Sequence, residues 1–78
     1  MDNYVVYGRS TCPFCKKAIK LLEKRQEKHV FIDLAEEPQV LSETKRFYKW
    51  KTVPIVIQSG PAGNRFIGGF NELRKHFE

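Results

Sequence analysis

The sequence predicts an α/β fold: a four-stranded mixed sheet with helices on both faces, in the order β-α-β-α-β-β-α. Three observations carry this. Runs of β-branched and aromatic residues alternate with amphipathic stretches along the whole chain. A helical stretch separates the first two strand-like runs, which calls for a parallel crossover. Only a short, turn-rich link separates the last two, which calls for a hairpin.

Each element has its own warrant. Tyr4-Val5-Val6-Tyr7 reads as the first strand, ended by Gly8. Beyond Thr11-Cys12-Pro13, the residues Cys15, Ala18, Ile19 and Leu22 recur at i, i+3, i+4 and i+7 with charged residues between them. That spacing predicts an amphipathic helix starting at Pro13, where the N–H that proline lacks would have had no helical partner. The stretch from His29 to Leu34 is the second strand, and Pro38 opens a helix whose apolar side is Val40, Leu41, Phe47 and Tyr48. The stretch from Val53 to Ile57 is the third strand. Residues 59–64 (Ser-Gly-Pro-Ala-Gly-Asn) are a turn cluster, and Arg65-Phe66-Ile67 is a short fourth strand broken by Gly68-Gly69. Asn71 is expected to cap a last helix with Phe70, Leu73 and Phe77 on one side. This is the order of the thioredoxin-type architecture.

A chain of 78 residues suits one domain, residues 1–78, with a modest core. No leader-like segment precedes the first strand, and the longest apolar stretches are far too short for a bilayer. The expectation is a cytoplasmic, monomeric protein without a membrane partner. The net charge of +5 raises the question of nucleic acid. The cations are scattered, however, and most lie on helical stretches beside glutamates, the pattern of a solvated face. No nucleic-acid partner is expected.

The chemistry is concentrated in Cys12-Pro13-Phe14-Cys15. With Pro13 as first helical residue, Cys12 is the N-cap, and its sulfur faces unpaired N–H groups and the positive end of the helix dipole. Free cysteine has a pKa of ~8.5, and C-x-x-C cysteines at helix starts fall to ~3.5–7.5. Arg9 adds a nearby cation. Cys15, one turn further in, is expected to stay protonated and to resolve the first disulfide formed. A zinc site fails on spacing. From Cys15 to His29 there are 13 intervening residues (16 to 28), but the next histidine is His76. No metal is expected, with His29 a strand-edge residue and His76 an exposed helix residue. Two further segments matter. Thr52-Val53-Pro54 places a proline at a strand start, and Gly68-Gly69-Phe70-Asn71 lets backbone come close to a ligand ahead of free helical N–H groups.

Taken together, Cys-Pro-Phe-Cys, Thr-Val-Pro and Gly-Gly at these separations resemble the glutaredoxin family over nearly the whole chain. The resemblance implies a thiol–disulfide oxidoreductase that reduces protein disulfides and glutathione mixed disulfides. Glutathione is the implied co-substrate, no cofactor is held, and ribonucleotide reductase is an expected client. It implies Cys12 as nucleophile and Cys15 as resolving thiol, with Pro54 a cis-proline beside the active sulfur. Glutathione would be bound by Arg9, Phe14, Thr52, Val53, Pro54, Gly69, Phe70 and Asn71. In particular, Val53 would pair with its cysteine, residues 69–71 hold its γ-glutamyl carboxylate, and Arg9 face its glycine carboxylate.

The chain departs from the family in four places. Phe14 replaces the commoner tyrosine, Leu41 stands where many members have glutamine, and Glu72 replaces a shorter aspartate. Residues 59–64 are longer than the family's tight hairpin. One alternative is a glutaredoxin-like redoxin reduced by thioredoxin reductase, although that group carries a Trp-Ser-Gly-Phe-Arg-Pro type segment where this chain has Gly69-Phe70-Asn71-Glu72-Leu73. Thioredoxin itself would need a tryptophan next to the cysteines, and Trp50 is far from them in sequence. The alternative from another class is a glutathione-assisted iron–sulfur carrier, which has Cys-Gly-Phe-Ser in place of this motif.

Overall fold

The computed structural model describes residues 2–78. The elements are β1 (Asn3–Gly8), α1 (Pro13–Lys24), β2 (His29–Asp33), α2 (Pro38–Tyr48), β3 (Ile55–Gly60), β4 (Gly63–Gly68) and α3 (Phe70–His76). The strands form one sheet in the order β2-β1-β3-β4. β1 and β2 are parallel, while β3 runs antiparallel to both β1 and β4. The α1 crossover and the β3–β4 hairpin thus produce the predicted mixed sheet.

Alternation along the strands divides the apolar residues between two layers. On one face Tyr4, Val6 and Val56 pack with Ala18 and Leu22 of α1 and Leu73 of α3. On the other, α2 buries Leu41 and stacks Tyr48 on Phe66 of β4, with ring centroids 5.3 Å apart at 15°. Trp50 meets the same Phe66 ring edge-on at 5.4 Å. Among the described residues, no helix is long and apolar enough to cross a membrane.

Several expectations are corrected. β2 stops at Asp33; Leu34 lies beyond it, buried, with its N–H donating to the Gly8 carbonyl at 2.7 Å. β3 starts at Ile55, because Pro54 has no N–H to give the ladder, and the Val53–Pro54 peptide is cis. It then runs on through Ser59 and Gly60, which pair with Asn64 and Gly63. Residues 59–64 are therefore a tight hairpin whose loop is only Pro61-Ala62, closed by Gly63 at φ 119°. The expected departure from a tight hairpin does not exist.

On α2 only Leu41 is buried, while Val40 and Phe47 are 44% and 77% exposed. His76 is half-buried, its ring bonded to the Tyr4 hydroxyl at 3.2 Å. Asn71 is not the cap of α3. Gly69 holds that place, and Glu72, at the third helical position, accepts the Gly69 N–H through Oε1 at 3.0 Å.

Candidate active site

Cys12 sits at the N-cap of α1 in extended backbone (φ −85°, ψ 121°), with Pro13 as first helical residue. The loop from β1 is short and held at both ends. The Cys12 N–H donates to the Arg9 carbonyl at 3.1 Å, and the Ser10 N–H donates to Asp33 Oδ1 at 3.2 Å. Burial works against a Cys12 thiolate. Opposing it are hydrogen bonds from the Cys15 backbone, the Cys15 thiol and the Phe14 backbone, together with the charge of Arg9; these prevail and hold the thiol below its ordinary 9.0. Cys15 is the reverse case. Burial first, then the adjacent Cys12 sulfur, push its pKa up to about 11. Both cysteines are free, Cys12 partly exposed and Cys15 fully buried.

Gly8 explains how Cys15 is accommodated. A β-carbon there would collide with Cys15 Sγ, so the end of β1 is bare where the second sulfur packs. Cys15, one turn behind the partly exposed Cys12, is placed to attack, once deprotonated, any disulfide formed on the first sulfur.

Cys12 Sγ lies 3.9 Å from the Val53 carbonyl oxygen. Beside it runs a groove of about 190 Å³ lined by Phe14, Trp50, Thr52, Val53, Pro54, Gly69, Phe70, Asn71 and Glu72. All the residues expected to hold glutathione line this groove except Arg9, which is exposed in the loop before Cys12. Phe14 and Phe70 flank it with ring centroids 6.3 Å apart, and Phe14 is half exposed, with the Lys17 ammonium 5.0 Å from its ring centre. A larger hollow of about 420 Å³ lies at the hairpin tip, and no cysteine lines it.

Trp50 was not expected here, and Glu72 was noted only as standing in place of the family's shorter aspartate. After α2 the backbone turns through Lys49 at φ 55°, and the Trp50 N–H donates to the Lys45 carbonyl at 2.9 Å. That reversal brings the indole back to the groove. A β-carbon on Gly69 would stand 3.5 Å from Trp50 Nε1, 3.3 Å from Glu72 Oε1 and 3.6 Å from the Pro54 carbonyl. Trp50 Nε1 is buried and has no hydrogen-bond partner among the described residues. The signal that finds it is the two-residue distance from Trp50 to Thr52, which puts an aromatic ring next to any ligand that Thr52 and Val53 touch. Among the described residues, no group of three histidine, cysteine or acidic side chains is placed to share a metal ion.

The Glutaredoxin family model matches residues 4–61 of the chain. No curated protein matches it. Among solved structures it is similar to the dithiolic glutaredoxin of Trypanosoma brucei brucei, with 33% identity, a TM-score of 0.74, and coverage of 92% of this chain and 73% of that one. A buckwheat glutaredoxin in complex with glutathione shares 24% identity and a TM-score of 0.81, over 97% of this chain and 69% of that one. The glutaredoxin-like protein NrdH-redoxin from Escherichia coli shares 21% identity and a TM-score of 0.70, over 94% and 92%. These last two likenesses are of fold, and the fold is thioredoxin-like.

Proposed function

The chain belongs to the glutaredoxin family and is a thiol–disulfide oxidoreductase, and we propose that glutathione is the thiol it works with. The observation that carries this reading is the groove beside Cys12, bounded by the Val53 backbone on one side and the start of α3 on the other. A tripeptide laid along Val53 as a short antiparallel strand brings its cysteine sulfur to Cys12. Phe14 and Phe70 flank it, and Thr52, Val53 and Pro54 form its floor. Its γ-glutamyl carboxylate meets the N–H groups of Phe70 and Asn71, while the Gly69 N–H already serves Glu72. Arg9 faces the glycine carboxylate.

In the reaction, the Cys12 thiolate attacks the glutathione sulfur of a mixed disulfide and the client leaves as a thiol. A second glutathione thiolate attacks the Cys12–glutathione bond, giving glutathione disulfide and restoring the thiolate. With a protein disulfide, Cys12 forms the mixed disulfide and Cys15 displaces the client, leaving Cys12–Cys15 oxidised for reduction by glutathione. We place the protein, one domain of residues 1–78 acting as a monomer, in the cytoplasm. Ribonucleotide reductase is among its proposed clients.

The test is reduction of hydroxyethyl disulfide by glutathione, coupled to glutathione reductase and NADPH. Turnover proportional to the protein, and absent in Cys12→Ser, is the expected result. A second reading, reduction by thioredoxin reductase, takes its support from the likeness of fold to the Escherichia coli redoxin. Turnover with thioredoxin reductase and NADPH, and none with glutathione, would replace the first reading by the second.

A further inference from the structure

Four cations gather where α2 ends. Lys45, Arg46, Lys49 and Lys51 surround the Trp50 indole in a shallow hollow of about 430 Å³, and no carboxylate lines it. Cations in the last turn of a helix answer the dipole, which accounts for Lys45 and Arg46. It does not account for Lys49 and Lys51, which lie beyond the helix on either side of Trp50. Lysine stems and an indole make an apolar floor, and the ammonium and guanidinium heads make a positive rim.

Trp50 also lines the groove beside Cys12, together with Phe14, Val53, Pro54 and Gly69. The redox groove and the cationic hollow therefore meet at one residue. From Val53 back to Trp50 the chain has three residues, a span of about 10 Å at most. A bound polypeptide whose cysteine is at Cys12 and whose backbone follows Val53 reaches the hollow within about three of its own residues.

We propose that this hollow docks acidic residues that lie about three positions from the reactive cysteine of a protein disulfide client. The proposal rests on the reading of the chain as a reductase of protein disulfides. It commits to an acidic peptide segment because the floor takes side-chain stems while the rim takes carboxylates. The hollow also shares Trp50 with the groove beside Cys12.

The test uses the reduced protein and two synthetic peptide disulfides, one with aspartates three residues from its cysteine and one with asparagines there. The thiols of Cys12 and Cys15 give two electrons and two protons to the peptide disulfide. The Cys12–Cys15 bond forms, and two peptide thiols are released. The acidic peptide is expected to react roughly tenfold faster at low ionic strength, an advantage that shrinks as salt is added.

Arg46→Glu with Lys51→Glu should abolish that preference while leaving the rate of the neutral peptide unchanged, which also reports that the variant is folded. Lys20→Glu with Lys24→Glu, the same charge change on α1, should keep it. Equal rates for the two peptides in the unaltered protein would overturn the docking surface. So would loss of the preference in the α1 variant, since bulk charge would then explain it. A single-stranded oligonucleotide that protects this rim better than the acidic peptide would also overturn it. Reduction of neither peptide would remove the protein-disulfide reading beneath it, and normal rates without preference would remove the docking surface alone.

Discussion

Cys12 and Cys15 are three positions apart, yet the fold drives their protons in opposite directions. Burial raises both, but only Cys12 has enough hydrogen-bond donors and positive charge around its sulfur to reverse the effect. The thiolate absorbance of the reduced protein should therefore show a first transition below 9.0, which disappears in Cys12→Ser. A first transition above that value would remove Cys12 as the activated nucleophile. Cys15→Ser should retain most removal of glutathione from mixed disulfides, where one sulfur suffices. It should lose most reduction of a protein disulfide, where proximity makes Cys15 far more effective than a thiol in solution. Cys12→Ser should lose both activities. Both cysteines were legible in the sequence because their chemistry is set by spacing along one helix start. Trp50 was not, because its place depends on a left-handed turn at Lys49 that brings it back to the groove. His76 escaped for a similar reason, since the Tyr4 hydroxyl it meets is 72 residues away.

At the scale of the elements, what the sequence conveyed well was order, and what it conveyed poorly was where elements stop. Strands were found wherever β-branched residues bunch, but the β3–β4 hairpin extends through Ser59, Gly60, Gly63 and Asn64. Those residues look like a loop by composition and are held in the ladder by the register of their neighbours. α1 and α2 end without the glycine that usually marks such an end. In α1, Gln26 sits at φ 58°, its N–H bonded to the Glu23 carbonyl, and the Glu27 N–H reaches the Leu22 carbonyl. That is the paired-bond cap in which glycine is favoured, occupied by a residue whose β-carbon opposes the left-handed region. Gln26→Gly relieves this at a site remote from the groove, against a smaller entropic cost in the unfolded chain. The net gain should be about 0.5–1 kcal/mol, a rise in melting temperature of about 3–6 °C for a domain this size. Thermal unfolding monitored by circular dichroism checks it, and a lower melting temperature would contradict the assigned cap.

Across the whole molecule, the two thiols make the stability of the reduced protein depend on pH in a way that locates each sulfur. For Cys12 the folded pKa is below the ordinary 9.0, so between those values the unfolded chain holds more protons and stability rises with pH. For Cys15 the folded pKa is about 11, so from 9.0 to about 11 the folded chain holds more protons and stability falls as pH rises. The stabilities of the reduced protein and of Cys15→Ser, measured by urea unfolding from about pH 8 to about pH 11, on both sides of the ordinary thiol range, should therefore converge or cross as pH rises. The reduced protein should lose more stability than the variant over this interval, because the folded chain holds the Cys15 proton that the unfolded chain gives up. The effect requires Cys15 to be sealed between α1 and the end of β1, where the bare Gly8 receives its sulfur. A constant difference from low to high pH would mean that Cys15 ionises as freely in the folded protein as in the unfolded one. The sulfur held in reserve would then be open to solvent, and the division of labour between the two cysteines would fail with it.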